Sequence, residues 1–290
     1  MKPIDFALAI AVAVIWGVGF VLTRIAVDEI SATLLTALRF GITALPCLFL
    51  PRPKLSWGLI VVISWLLVAQ FLAQTYGLAH GVPAGLTAVI VQSQALFTVA
   101  FAAIFLRELP TRLQVLGITI SMSGLLLICF TVGYDFSVWA FAILMTAPIS
   151  FAISNLLLRS AQGVSMLDLF AWIGLLAMIP LLTVLLMVDG PAMTLHALSQ
   201  MSLRAVACVL AVALLGTTLG YWIWGRLLRQ YSAAQVVPFA LLVPFIGAGA
   251  SSLVFGETFG PLRLTGMIVV VLGIAVMLLS RRPPPLVEVA

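Results

Sequence analysis

The sequence is a succession of long apolar segments separated by short polar or turn-forming stretches. The clearest breaks are Pro51-Arg52-Pro53-Lys54, Arg107-Glu108-Leu109-Pro110 and Asp189-Gly190-Pro191. A segment of about 20 apolar residues spans the hydrocarbon core of a bilayer as an α-helix. The pattern therefore predicts an all-α integral membrane protein with ten transmembrane helices. They are expected at residues 4–23, 32–50, 57–79, 83–106, 112–131, 136–158, 167–188, 203–225, 232–255 and 262–280.

The composition of the 290 residues excludes a water-soluble protein. Hydrophobic residues make up 63% and charged residues only 8%, with a mean hydropathy of +1.26, whereas soluble domains carry about 25% charged residues. Ala-x-Ala patterns occur within Ala7–Ala13, but no polar cleavage region follows them. The first apolar run is therefore predicted to be a retained span, not a signal peptide.

The titratable and sulfur-containing residues indicate neither a metal, a cofactor nor nucleic acid. Cys47, Cys129 and Cys208 lie singly in separate apolar segments, without metal or disulfide spacing, and are predicted to be packing residues. The 14 basic residues are scattered at segment ends and form no stripe. The predicted partners are a small-molecule substrate and the lipid bilayer, and a monomer is expected.

The distribution of basic residues predicts the orientation, because Lys and Arg are retained on the cytoplasmic side. With both termini inside, only three basic loop residues lie outside, namely Arg24, Arg204 and Arg263. Arg39 falls within the second segment. The inside set is Lys2, Arg52, Lys54, Arg107, Arg112, Arg159, Arg226, Arg229, Arg281 and Arg282.

The two halves of the chain repeat a pattern at an offset of 149 residues. In both, an apolar helix ends at a glutamate, turns, and enters a helix with glycines seven residues apart. Since each half holds five segments, the second is predicted to be inverted, as in alternating-access transporters. The predicted units are residues 1–131, residues 132–282 and a cytoplasmic tail, 283–290. The matched pairs are Ala84 with Ala233, Glu108 with Glu257, Gly117 with Gly266 and Gly124 with Gly273.

These features resemble the drug/metabolite transporter superfamily of the EamA type. The matching pieces are Ile15-Trp16-Gly17 in the first helix, Arg39 early in the second, and the two helix–Glu–turn–Gly units. Within the superfamily the chain is most similar to bacterial amino-acid exporters of the YddG type. The resemblance implies ten helices around a central cavity in the bacterial inner membrane, closed alternately by the fourth and ninth helices.

Polar and aromatic side chains within the segments are the candidates for substrate binding, because such groups need a protein partner or a wet cavity at membrane depth. Each glutamine has an alternative role in joining helices, and His80 has an alternative role at the interface. Gln92 and Gln94 lie about 200° apart on an ideal helix, so only one is expected to face the cavity. The candidates are Trp16, Gln70, Gln74, Tyr76, His80, Gln92, Asn155, Tyr221 and Trp222.

Prolines and glycines are the candidates for gating. Pro238 and Pro244 lie inside the ninth segment, where each frees the carbonyl four residues earlier and so predicts a hinge that offers carbonyls to a substrate ammonium. The alternative is a kink that serves packing alone. The fourth segment has no internal proline, and its bending is expected to depend on Gly81 and Gly85.

The remaining charged residues narrow the function. No Asp or Glu lies in mid-membrane, which disfavours organic cations as substrates, and the single Arg39 disfavours phosphate carriers. Arg39 itself is interpreted as structural, paired with Asp28 or Glu29. His80 and His196, the latter in the loop before the eighth segment, form no catalytic motif. The sequence thus predicts an exporter of neutral or zwitterionic metabolites, chiefly amino acids; the alternative is export of hydrophobic drugs or other small metabolites.

Overall fold

A computed structural model describes residues 1–131, 136–159, 164–231 and 233–279. Within these ranges the regular structure is helical and no strand is present. Among the described residues, nine helices are long and apolar enough to cross a membrane, and a shorter apolar helix lies between the first and second of them. The prediction of an all-α membrane protein is confirmed; the tail at 283–290 lies outside the described residues. The ten spans, numbered in chain order, are Pro3–Ala26, Ala32–Leu48, Trp57–Ala79, Ala84–Phe105, Arg112–Cys129, Val138–Leu158, Met166–Val188, Leu203–Gln230, Val237–Phe255 and Pro261–Leu278.

Hydroxyl side chains begin most of the spans. The first turn of a helix has backbone N–H groups without intrahelical partners, and a serine or threonine oxygen can accept from one of them. Thr111 and Gln114 form a full capping box at the start of the fifth span. This explains why the polar breaks of the sequence coincide with helix ends. The other capping residues are Ser31, Ser56, Ser137, Ser165 and Ser202.

Four spans depart from a continuous α-helix. The second ends in a 3₁₀ turn, Leu45–Leu48, and the fourth is interrupted at Ser93. The eighth contains a π-helix, Ala211–Leu219, and the ninth begins with a 3₁₀ segment, Val237–Leu241. Such irregular backbone within a span is tolerated where it is buried in protein or lines a cavity.

The connection between the seventh and eighth spans differs from the sequence interpretation. The stretch interpreted as a loop around His196 is a helix, Gly190–Gln200, none of whose residues is buried. Pro191 occupies the first turn of this helix, where a fixed φ and a missing N–H are not a disadvantage.

The fifth and tenth spans cross with their backbones in contact. A Cβ placed on Gly117 would lie 2.5 Å from the carbonyl oxygen of Gly273, and one on Gly124 would lie 2.7 Å from that of Gly266. Between these two contacts, the Ser121 hydroxyl donates to the Val270 carbonyl at 2.9 Å. The glycines that carry the sequence repeat therefore allow two helices to cross with their backbones in close contact.

Polar contacts between connecting segments define the two ends of the helix bundle. At the near end, which carries the N-terminus, the buried carboxylate of Asp5 accepts from Arg226 at 3.3 Å and from the Tyr231 hydroxyl at 2.8 Å. At the far end, Glu29 accepts from the Ser202 hydroxyl at 2.7 Å and from its amide at 3.0 Å. Both hydrogen bonds favour the ionised carboxylate and so lower the pKa of Glu29. The bond from the Ser202 hydroxyl has the larger effect.

Candidate substrate site and gates

Three amide side chains and one backbone carbonyl form a polar chain across the bundle, here called the amide chain. Gln92 of the fourth span donates from Nε2 to the carbonyl of Ala240 in the ninth span at 2.6 Å. Gln94 Nε2 lies 3.4 Å from Gln92 Oε1, and Asn155 of the sixth span donates to Gln94 Oε1 at 3.1 Å. The fourth, sixth and ninth spans are thus joined through groups that can also hydrogen-bond a polar solute.

The two glutamines meet because the fourth span is not a continuous helix. It consists of Ala84–Gln92 and Gln94–Phe105, separated at Ser93. The Ser93 hydroxyl donates to the Ile90 carbonyl at 2.6 Å, a back-bond that competes with the helical pattern. The two amides therefore approach each other although an ideal helix would place them about 200° apart, and which of them faces a cavity stays a prediction.

The carbonyl at the end of the amide chain is the one that Pro244 leaves without a helical donor. This carbonyl was expected to be offered to a substrate, but in the structure Gln92 donates to it. Pro244 is buried, whereas Pro238 is exposed within the 3₁₀ segment. A proline-freed carbonyl and the amide that satisfies it therefore link the fourth and ninth spans.

Aromatic side chains form a second group, on the first and eighth spans. The Trp16 ring lies 5.4 Å from that of Tyr221 and 5.1 Å from that of Trp224. Trp16 Nε1 donates to the Gly216 carbonyl at 2.9 Å. A return from π-helical to α-helical bonding leaves a carbonyl without a backbone donor, and Gly216 lies in the last turn of the π-helix. Trp222 is 39% exposed and stays outside this group.

Arg39 makes different contacts from those expected. Its Nε donates to the Thr217 hydroxyl at 2.7 Å, and its guanidinium carbon lies 4.0 Å above the Phe71 ring. Asp28 instead pairs with Arg24, and Glu29 binds Ser202. The predicted pairing of Arg39 with Asp28 or Glu29 is therefore wrong, because both carboxylates are engaged at the far end of the bundle.

The candidates on the third span fall into two places. Gln70 and Gln74 are buried, and Gln70 Oε1 accepts from no described residue. Tyr76 and His80 stack at 3.8 Å between ring centroids. His80 is exposed at the helix end, where Nδ1 lies 2.9 Å from the Tyr76 carbonyl. His80 therefore lies at the exposed far end of the third span and not in the middle of the membrane.

At the far end the fourth and ninth spans are closed against each other. Glu257 accepts from the backbone amide of Ala84 at 2.9 Å and from that of Gly85 at 3.4 Å, and it also accepts from the Ser251 hydroxyl. A carboxylate is stabilised at a helix N-terminus by the unpaired amides and the helix dipole. A Cβ on Gly85 would lie 2.7 Å from the Cα of Ala248. Gly85 thus permits close contact between the two spans, and the expected dependence of bending on Gly81 and Gly85 stays a prediction. These contacts are called the far-end latch.

At the near end the same two spans diverge. Gln94–Phe105 packs against the sixth span, whereas Ala84–Gln92 packs against Leu242–Phe255. Glu108, the repeat mate of Glu257, pairs with Arg159 at 3.0 Å, and both side chains are more than 40% exposed. One pair of helices is thus latched at one end and separated at the other.

The sequence matches the EamA-like transporter family over two stretches, residues 5–130 and 138–279. The chain belongs to the EamA-like transporter family. Together with its apolar spans, this identifies the protein as a multi-pass membrane transporter and not an enzyme.

Several named transporters are similar to this chain over 71% to 97% of its length. A "Probable amino-acid metabolite efflux pump" of Escherichia coli (strain K12) is 29% identical over 97% of both chains, and its namesake in Salmonella typhimurium is 29% identical over 94% of both. A "Probable terminal-alkyne amino-acid exporter" of Streptantibioticus cattleyicolor is 31% identical, over 71% of this chain and 67% of the exporter. A crystal structure described only as that of a protein matches the fold with a TM-score of 0.65 at 13% identity, covering 95% of this chain and 96% of the other.

Several residues of this EamA-family site were not among the sequence candidates. Thr217 binds Arg39, Trp224 completes the aromatic group and Ser251 completes the far-end latch. The adjacent hydroxyls of Thr217 and Thr218 in the middle of an apolar span were a signal that could have identified the first. Ser251 could not be distinguished by sequence from hydroxyls that bond their own helix.

Proposed function

We propose that this protein exports small neutral or zwitterionic metabolites, amino acids above all, across the bacterial inner membrane by alternating access. The relatives named as amino-acid efflux pumps and exporters support the substrate class. The amide chain supplies uncharged donors and acceptors, and the aromatic rings of the first and eighth spans supply apolar surface. A site with a few convergent polar groups on an apolar wall suits a small amphipathic solute.

The inverted repeat is supported by the crossing of the fifth and tenth spans. Under the offset of 149, Gly117 corresponds to Gly266 and Gly124 to Gly273. The contacts are crosswise, Gly117 with Gly273 and Gly124 with Gly266. A two-fold relation produces this pattern, because if one residue meets a second, their mates must meet as well. The match to the family in two stretches, one in each half, agrees with it.

The amide chain is expected to lie near the two-fold axis that relates the two halves in this proposal. Residues on a two-fold axis contact their own repeat mates, so their numbers differ by the offset of 149. Ser121 and Val270, which are 149 apart, are bonded at the glycine crossing. Gln92 is bonded to Ala240, which is 148 residues away and directly precedes Leu241, the mate of Gln92 under the offset. In transporters built from inverted repeats the substrate binds near this axis at the membrane midplane. We therefore place the substrate at the amide chain.

The observation that carries the proposal is the unequal state of the two ends. The far-end latch joins Glu257 to Ala84 and Gly85. The equivalent contact of Glu108 with the start of the ninth span is absent from the described contacts, and Glu108 pairs with Arg159 instead. Alternating access requires the two ends to close in turn. In this proposal Glu108 exchanges Arg159 for the ninth span when the far end opens, and the bends at Ser93 and at Pro238–Pro244 absorb the motion.

The basic residues of the connecting segments support a cytoplasmic near end. We expect a thiol-reactive tag inserted in residues 51–56 to be reachable only from the cytoplasm, and one after Gly190 only from outside. Labelling of intact and permeabilised cells with an impermeant reagent distinguishes the two. Cytoplasmic access to the tag after Gly190 would contradict the orientation and with it the inverted repeat.

Transport itself is tested with purified protein in liposomes. We expect uptake of labelled alanine, leucine or phenylalanine above protein-free liposomes, with equilibration in the absence of a pH gradient. The physical reason is that no carboxylate of the described spans lies at the amide chain, so no obvious proton carrier accompanies the substrate. His80→Gln serves as the control, because His80 was the only proton-accepting side chain that the sequence predicted within the spans.

Two results would contradict this expectation. If no amino acid of the panel is taken up, the proposed substrate class is contradicted. Uptake that stops without a pH gradient in the wild type, but no longer depends on the gradient in His80→Gln, would show that transport is proton-coupled.

A further inference from the structure

Arg39 is a buried cation that no carboxylate of the described residues neutralises. Its side chain lies within the second span and is 9% exposed. The three ion pairs found in the described ranges involve other arginines, namely Arg24, Arg159 and Arg226. An unpaired charge at membrane depth is costly, and where it occurs it marks a substrate or ion pathway. The contacts of Arg39 therefore need an explanation beyond packing.

Most of the hydrogen-bonding capacity of Arg39 is unused. A guanidinium carries five N–H donors in one plane. Thr217 accepts the Nε donor at 2.7 Å, and Phe71 covers a face of the group without accepting a hydrogen bond from an N–H. The Nη donors form no hydrogen bond with any described residue. The Phe71 ring and the Thr217 hydroxyl fix the orientation of the guanidinium plane. The Nη groups remain able to donate hydrogen bonds to a ligand.

A glycine of the eighth span lies beside this edge and belongs to the surroundings of the aromatic group. Gly216 faces Arg39, and a Cβ on this glycine would lie 3.7 Å from Nη2. Trp16 holds the same glycine by its carbonyl. Tyr221 lies one turn beyond Thr217 on the eighth span and contacts the Trp16 ring. The free donors thus lie in the same neighbourhood as the aromatic wall of the proposed site.

We infer that Arg39 binds the carboxylate of the substrate. This inference rests on the proposed function and deepens it, because it restricts the substrates to metabolites with a free carboxylate. The two Nη groups match the two oxygens of a carboxylate in the planar, bidentate geometry that arginine favours. One cation compensates a singly charged carboxylate but not a phosphate dianion. Substrate binding would then neutralise a charge that the empty site leaves uncompensated.

The test compares each amino acid with its own carboxamide, which keeps the ammonium and side chain but lacks the negative charge. Labelled leucine and leucinamide, and phenylalanine and phenylalaninamide, are taken up into liposomes by the wild type, R39Q and R39K, net of protein-free liposomes. Hydrogen bonds to charged groups correspond to about 10- to 100-fold in affinity. We expect R39Q to lower the acid-to-amide uptake ratio by about this factor. R39K keeps the positive charge but lacks the two coplanar Nη donors of a guanidinium. The acid-to-amide uptake ratio should therefore fall less in R39K than in R39Q.

Arg263 provides the matched control. It is also a buried arginine, 6% exposed, and it donates to the hydroxyl of Thr131 at 3.2 Å and lies above the Phe136 ring. Its Nη2, however, donates to the Thr131 carbonyl. R263Q should therefore lower thermal stability in detergent and leave the acid-to-amide ratio of the remaining uptake unchanged.

The outcomes separate the two proposals. If the wild type takes up amino acids and R39Q keeps the wild-type ratio, the inference about Arg39 is overturned and the proposed function stands. If the wild type takes up no amino acid of the panel, the proposed function itself fails. If neither R39Q nor R39K can be purified as monodisperse protein, Arg39 is a folding residue and the inference is likewise overturned.

Discussion

Replacing Gly273 by valine is expected to prevent the fifth and tenth spans from packing. A Cβ at this position would lie 2.2 Å from the Ser121 hydroxyl oxygen, 2.5 Å from the Ser121 amide nitrogen and 2.6 Å from the Gly117 carbonyl oxygen. Backbone atoms cannot move aside as a flexible side chain can, so the helices must separate along the whole crossing. We expect a loss of about 3 kcal/mol or more. In detergent the Tm should fall by roughly 10 °C or the protein should aggregate.

Gly249→Val is the control for this substitution. Gly249 is also a glycine inside a span, but a Cβ placed on it meets nothing within 4 Å. The same added volume is therefore harmless there, and we expect a change within about 0.5 kcal/mol, as for other unconstrained surface positions. Equal thermal stability of Gly273→Val and Gly249→Val would show that the glycine crossing is not a tight contact.

Replacing Glu257 by glutamine is expected to open the far end. The carboxylate accepts from the amides of Ala84 and Gly85 and from Ser251, and glutamine keeps the shape but loses the charge. Since hydrogen bonds to charged groups contribute about 1.5 kcal/mol or more, the open population should rise about tenfold. A Thr87→Cys reporter, introduced after removal of the three native cysteines, measures this by its rate of labelling with a maleimide. Thr87 is fully buried behind the far-end latch.

Glu108→Gln is the matched variant from the other half of the chain. Glu108 pairs with Arg159 at an exposed position, and such pairs contribute between zero and about 1 kcal/mol. In this state of the protein its replacement should leave labelling at Thr87→Cys unchanged. If Glu257→Gln also leaves the rate unchanged, the carboxylate is not what holds the far end closed.

The sequence by itself determined the class of protein and the order of its spans. A bilayer offers no water to the backbone, so a chain with apolar runs of this length must form helices across it. The predicted segments therefore agree with the nine long apolar helices of the described residues and with the shorter one, Ala32–Leu48. These features depend on local composition and chain length alone. The glycines at offset 149 were also visible in the sequence, but only the structure shows that the fifth and tenth spans cross at them.

The candidate site was only partly predictable, because its geometry depends on departures from ideal helices. The contact between Gln92 and Gln94 requires the break at Ser93. The bond from Trp16 to Gly216 requires a carbonyl at the end of a π-helix. A helical period of 3.6 residues places residues on faces, but it does not show where that period is interrupted.

The partners of the polar groups were decided by tertiary structure alone. Arg39 could be recognised as a cation within a span, yet its contacts come from Thr217 and Phe71 on two other spans. Likewise, the carbonyl of Ala240 was predicted to be free, but Gln92 from the other half of the chain donates to it. Which helices approach each other, and in which state, is set by packing between distant segments. The sequence supplied the chemical groups, and the approach of the helices decided which of them meet.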